Sequence, residues 1–164
     1  MIVTGYEMTQ TDPLAELLTA EHIALKLRAA NKPALLAELA RRAAGFTGLG
    51  EATLSDALAA REALGSTGFG AGIAVPHAKI DGLPAVFGFF ARLEKPVAFE
   101  AIDGKPVDLV FLLLSPTAAP SDHLAMLAAV SRRLRDKPLA EALRAADTAE
   151  AARALLVAGP VRAG

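Results

Sequence analysis

The chain of 164 residues has no cysteine, no tryptophan and a single tyrosine, Tyr6. The missing cysteines exclude disulfides, thiolate nucleophiles, Cys-ligated zinc and iron–sulfur clusters together. With aromatics at 5% of residues, a stacking platform for single-stranded nucleic acid is not expected. Neither charge sign dominates: 17 basic and 18 acidic residues leave a net charge of −1. A protein built to hold nucleic acid carries a basic excess, so no nucleic-acid partner is expected. Long apolar runs are also missing. The longest stretch of large aliphatic or aromatic side chains covers residues 109–114, far short of the roughly 20 positions that a membrane helix needs. Direct membrane insertion is therefore not expected. Residues 1–12 show no basic flank followed by an apolar segment, so no leader is expected and the cytoplasm is the expected compartment.

What is present is a large apolar complement. Hydrophobic residues make up 53% of the chain and charged residues 21%, enough for one sizeable core. Asp12-Pro13 reads as a helix cap followed by a first helical position. Ile23, Leu25 and Leu27 alternate with polar or small residues as in a half-buried strand. Asn31-Lys32-Pro33 opens a helix with Leu35, Leu36, Leu39 and Ala43 on one face, closed by Gly45 and Gly48. A further helix is predicted over residues 52–64. Strands are predicted at 73–75, 85–93 and 107–114, the last apolar on both faces and therefore central. Helices at 121–135, 138–145 and 148–157 complete the chain. The expected fold is α/β: a single domain with a mixed sheet flanked by helices on both faces. An N-terminal extension of residues 1–11 and a tail of residues 158–164 are expected to flank a domain of residues 12–157.

Residues 65–72 hold four glycines in eight positions, a composition that disfavours regular structure. The spacing Gly65-x4-Gly70 is that of a P-loop, but Ala71 stands where the phosphate-binding lysine belongs. The dinucleotide pattern also fails, because Ile73 occupies the third glycine position and a helix, not a strand, precedes the loop. Two readings remain: a tight path between helix and strand, or a wall of backbone N–H groups with the Ser66 and Thr67 hydroxyls that holds an anion. Of three histidines, His22 has no polar constellation near it and reads as surface or structural. His77 follows Pro76 at a strand end, where α/β proteins place chemistry, and is a candidate nucleophile. His123 falls in the first turn of a helix capped by Ser121. It shares a wheel face with Leu127, Val130 and Leu134, so it is expected to point inward. Arg61 ends the helix before the glycine loop and suits a phosphate ligand. Asp81 and Asp122 are the only carboxylates close to His77 and His123 in sequence, and no metal-binding spacing exists, so a small metal-dependent hydrolase is a weaker reading. Arg132, Arg133, Arg135 and Lys137 form a basic cluster, read as a solvated helix end or a docking face.

The run Arg61-Glu-Ala-Leu-Gly-Ser-Thr-Gly-Phe-Gly-Ala-Gly-Ile-Ala-Val-Pro-His77 resembles the active-site signature of the enzyme IIA domains of the bacterial phosphotransferase system, fructose/mannitol class. Residues 99–114 and Asp122-His123-Leu124 extend the resemblance, and the wording Leu-Gly-Ser-Thr-Gly is closest to the nitrogen-regulatory branch. The resemblance implies that His77 accepts a phosphoryl group from a histidine-containing phosphocarrier protein, supported by His123 and Arg61. Gly68, Gly70, Ser66, Thr67 and Ser121 are the expected holders of the phosphoryl oxygens. Neither a metal nor another cofactor is expected, because the phosphoryl group arrives on a protein. The resemblance implies a regulatory target or a IIB protein downstream. The alternatives are a sugar-specific IIA component and a regulatory binding module that is not phosphorylated. Two positions depart from the family pattern: Ala78 stands where glycine is usual, and Ala71 where asparagine is frequent. A methyl at 78 is expected to narrow a partner's approach to His77.

Overall fold

The alternation of Leu109, Phe111 and Leu113 with Val110, Leu112 and Leu114 places six fully buried side chains on the two faces of one strand. Such a strand must be covered on both sides, and the fold follows from that requirement. The computed structural model describes residues 13–158. The Asp12 cap, residues 1–11 and most of the expected C-terminal tail lie outside the described residues.

The chain begins with α1 (Pro13–Leu17) and a single 3-10 turn at Ala20–His22, then enters β1 (Ile23–Leu27). Two helices follow, α2 (Lys32–Thr47) and α3 (Glu51–Ala63). As expected, the Asn31 side chain caps α2, accepting from the Ala34 N–H at 2.9 Å, with Pro33 in the first turn. Gly45 does not end the helix; it lies inside α2, which closes at Gly48 through a bond to the Ala44 carbonyl. Next come β2 (Gly68–Gly70), β3 (Ile73–Ala74), β4 (His77–Ile80), β5 (Phe87–Val97) and β6 (Val107–Pro116). The chain ends in α4 (Pro120–Arg135), α5 (Lys137–Ala145) and α6 (Ala149–Ala158).

The sheet runs β1-β5-β6-β3-β2, with β4 also paired to β6. β5 and β6 are antiparallel, with Phe90 opposite Phe111, whereas β1 lies parallel to β5. β3 and β4 both run parallel to β6 along its other side, with Ile73 opposite Leu109 and His77 opposite Leu113. Val75-Pro76 interrupts what would otherwise be one strand. Val110, Leu112 and Leu114 pack with Phe89, Leu35, Leu39, Leu54 and Leu58 beneath α2 and α3. Leu109, Phe111 and Leu113 pack with Val130, Leu134, Leu143 and Leu156 beneath α4, α5 and α6. The mixed sheet with helices on both faces is thus present. Among the described residues no helix is long and apolar enough to cross a membrane.

Two expectations need correction. The glycine segment is not irregular throughout: residues 68–70 form β2, antiparallel to β3. Glycine is needed there for space, because a Cβ at Gly68 would stand 2.9 Å from the Ala101 Cβ and 3.1 Å from the Phe99 ring. Likewise, the strand ending at Val75 resumes at His77 as β4, so His77 opens a strand rather than sitting in a loop.

The β2–β3 hairpin turns on Ala71-Gly72, with φ of 57° and 81°. Two successive positive φ values are the signature of a type I′ turn, whose best sequence is Asn-Gly. Alanine in the left-handed region costs roughly 1 kcal/mol. Ala71→Asn is therefore expected to stabilise the protein by about 0.5–1 kcal/mol, raising the melting temperature by roughly 1–4 °C. A melting temperature that is unchanged or lower in a thermal denaturation scan overturns this reading of the turn.

Candidate active site

Three elements meet at the C-terminal end of β6. The last turn of α3 delivers Arg61, the start of β4 delivers His77, and the first turn of α4 delivers His123. Strand alternation sends Ala78 and Ile80 into the core beneath α2 and α3, leaving His77 and Lys79 on the opposite face. The methyl of Ala78 packs in that core at 7% exposure. Ala78 also contributes to the lining of the cavity that opens in front of His77.

The His77 ring is held by two groups that each permit one role. Its Nδ1 lies 2.7 Å from the Val75 carbonyl, which can only accept, so Nδ1 carries the proton. Its Nε2 lies 3.2 Å from the Arg61 Nε–H, which can only donate, so Nε2 carries the lone pair. Arg61 is steadied in turn by a 2.9 Å bond from its Nη1 to the Gly65 carbonyl. Burial, the largest influence, holds the His77 pKa below the ordinary histidine value. The Val75 carbonyl opposes that shift, Arg61 adds to it, and Glu62 opposes it. The ring is thus neutral at pH 7, with a bare nitrogen facing the guanidinium.

His123 is 5% exposed, and its ring centroid lies 5.5 Å from that of His77. The inward placement read from the helix wheel is what the structure contains. Its Nδ1 shares a 2.7 Å hydrogen bond with the hydroxyl of Ser115, which is fully buried. Burial first, then the charge environment of His77 and Lys79, hold its pKa down. Around these groups opens a cavity of about 570 Å³ whose lining includes Arg61, His77, Lys79 and His123, with Leu64 and Leu124 among its apolar members. Leu64 is 84% exposed and Leu124 is 66% exposed, so an apolar collar surrounds a cationic, imidazole-lined floor.

The remaining sequence candidates are elsewhere. The Ser66 hydroxyl donates to the Phe99 carbonyl at 3.0 Å and accepts from the Gly68 N–H at 3.1 Å. Thr67 gives both its N–H and its hydroxyl to the Glu62 carboxylate, at 2.9 and 2.6 Å. Gly70 lies against Asp103, whose carboxylate takes the Ala71 N–H. These amides and hydroxyls brace the hairpin, and none of Ser66, Thr67, Gly68 and Gly70 lines the cavity. Ser121 is exposed and does not cap α4; the cap position is Ala119, without a side-chain bond. His22 is structural: its Nδ1 bonds to the Gly88 carbonyl, and its ring packs 4.4 Å from that of Phe46. Asp81 accepts from the Thr117 hydroxyl at 2.6 Å. Arg133 of the basic cluster bonds to the carbonyls of Leu156 and Val157 at the end of α6.

Three residues of the site were not singled out from the sequence. Lys79 was signalled by its position two residues after His77 in a strand. Ser115 was signalled as a lone hydroxyl at the end of an apolar run. Glu62, 8% exposed, receives Lys32 at 2.7 Å as well as Thr67. Burial pushes its pKa up, but Lys32 and the two Thr67 bonds outweigh this and hold it below the usual carboxylate range.

Residues 16–158 match the family model described as "Phosphoenolpyruvate-dependent sugar phosphotransferase system, EIIA 2". A relative from Bradyrhizobium diazoefficiens, named nitrogen regulatory protein, is 45% identical over 151 residues, 92% of this chain and 99% of its own. The crystal structure of nitrogen regulatory protein IIA-Ntr from Neisseria meningitidis superposes with a TM-score of 0.84 at 38% identity, covering 87% of this chain and 98% of that one. A solved complex of mannitol enzyme IIA with phosphorylated enzyme IIB from Escherichia coli shares the fold, with a TM-score of 0.74 at 22% identity and coverage of 87% and 98%.

His77 and His123 are both expected to titrate below the ordinary value near 6.5 when followed by NMR, and Arg61→Gln is expected to move His77 upward by removing a cation. An unfolded histidine takes its proton at higher pH than these two do. Their contribution to stability is therefore complete above about pH 6.5 and is lost as pH falls through the folded values. A His77 titration at or above 6.5 in the wild type contradicts the arrangement.

Proposed function

The chain belongs to the EIIA 2 family of the phosphoenolpyruvate-dependent sugar phosphotransferase system, and from that premise we propose that it carries a phosphoryl group on Nε2 of His77. The observation that supports this most directly is the pair of single-role partners on the ring: a carbonyl at Nδ1 and a guanidinium N–H at Nε2. The donor is a phosphohistidine on a phosphocarrier protein. The His77 Nε2 lone pair attacks phosphorus in line, the N–P bond to the donor ring breaks, and the departing nitrogen keeps the bonding pair. Positive charge that grows on the His77 ring is shared with the Val75 carbonyl through Nδ1–H. Arg61, released from the nitrogen it covered, is within reach of the new phosphoryl oxygens. His123, oriented by Ser115, supplies a polar neighbour on the other side. The same steps in reverse deliver the group to a downstream protein.

The collar of Leu64 and Leu124 supports a protein rather than a small molecule as donor. Apolar side chains exposed around a polar floor gain by being covered, and covering them excludes water from a hydrolysable N–P bond. The name shared by the more similar relatives supports a regulatory output, in which a partner protein distinguishes the phosphorylated from the free form.

Incubation with phosphoenolpyruvate and the general phosphotransferase proteins is expected to place one acid-labile, base-stable phosphate on the chain, mapped to His77 and absent in His77→Gln. Arg61→Gln is expected to slow the transfer on the order of 10²-fold while leaving the fold intact. Phosphorylation that persists in His77→Gln, or maps to another residue, refutes the proposal.

A further inference from the structure

A second concavity, of about 590 Å³, opens at the other end of β6. Asp108 belongs to it, whereas Leu113 lies beside His77, so roughly 17 Å of strand separates the two sites. Four cations from separate parts of the chain converge there: Lys105 from the β5–β6 loop, Arg135 from the end of α4, Lys137 from the start of α5 and Arg144 from its end. Two carboxylates, Asp108 and Glu141, share the lining.

Arg144 is committed to the structure. It holds Asp108 with two bonds of 2.9 Å, gives a third of 2.7 Å to the Ala71 carbonyl, and reaches Glu141 at 3.5 Å. The other three are not committed in this way: among the described residues no carboxylate is recorded in a salt bridge with Lys105, Arg135 or Lys137. Arg135 stacks 4.9 Å over the Phe69 ring, an arrangement that leaves the edge of its guanidinium open. Asp103, just outside the lining, spends its carboxylate on the N–H groups of Ala71 and Lys105. Four cations against two carboxylates leave the lining net positive, with Asp103 beside it adding a third carboxylate whose field reaches Lys105. Between the charges the surface is apolar, with Pro96, Pro106 and Ala140.

We propose that this concavity binds a small organic phosphate of at least two negative charges, of the nucleoside diphosphate type. The phosphates would lie on Lys105, Arg135 and Lys137, and the uncharged body on the prolines. The volume is that of an ordinary small-molecule site. The lining is net positive, and Arg's planar fork with two flexible ammonium groups is the donor set that phosphate oxygens take. The position suits an effector rather than a reactant. The hairpin tip Ala71-Gly72 forms part of the rim, and the strand leaving it reaches His77 five positions later.

Titration calorimetry of the intact chain with GDP at physiological ionic strength, with inorganic pyrophosphate and guanosine as separate probes, tests this. Saturable one-to-one binding of GDP is expected, weaker for pyrophosphate and absent for guanosine. Lys105→Gln and Lys137→Gln, both at exposed positions that the fold does not depend on, are each expected to weaken it about tenfold, the effect of losing one charge-assisted hydrogen bond. Binding must survive in His77→Gln, which separates this site from the one above. Absence of saturable binding, indifference to both lysine substitutions, or loss in His77→Gln overturns the proposal.

Discussion

One buried carboxylate closes a circuit on which the site depends. Glu62 takes the Thr67 N–H and hydroxyl together with the Lys32 ammonium, tying α2, α3 and the hairpin to a single point. The Thr67 carbonyl then accepts from the Val75 N–H at 3.0 Å, the Val75 carbonyl accepts from His77 Nδ1, and His77 Nε2 accepts from Arg61, the neighbour of Glu62 in α3. Each link fixes the next, so the His77 imidazole is oriented by bonds that begin some way from it. An unpaired buried carboxylate is costly, and Lys32 with the two Thr67 donors is what makes this one tolerable.

The circuit rests on a scaffold that gives it little room to shift. Six consecutive side chains of β6 are fully buried, three beneath each helical layer, and truncating a leucine in such surroundings costs about 2–5 kcal/mol. β4 pairs with this strand from His77 to Ile80, so His77 is anchored to a strand whose side chains at 109–114 are fully buried. His123 reaches the same place from the other layer, at the end of the stripe of Val130 and Leu134 that seats α4 on the sheet. The His77 ring therefore lies where the two cores meet.

Much of this was legible in the amino-acid order. The double apolar alternation of residues 109–114 marks a central strand, Asn31-Lys32-Pro33 marks a helix start, and the spacing of 123, 127, 130 and 134 places His123 inward. These are periodic signals, and periodicity survives folding. What could not be read was where hydrogen bonds end. The hydroxyls and amides of Ser66, Thr67 and Gly68 have the composition of an anion wall, yet Phe99 and Glu62, distant or unremarked in the sequence, take them. Ser121 has the chemistry of a cap, but Pro120 already occupies the first turn and moves the cap to Ala119. Lys79 escaped because a four-residue strand is too short to declare its alternation.

The group that selects which nitrogen of residue 77 faces outward is a main-chain carbonyl. No side-chain replacement at position 75 removes it. Drift in sequence can therefore repaint the rim and exchange collar leucines for other residues, while the orientation of the ring stays fixed. The character of the rim and the nitrogen presented to it are thus separately heritable, one written in side chains and the other in the backbone.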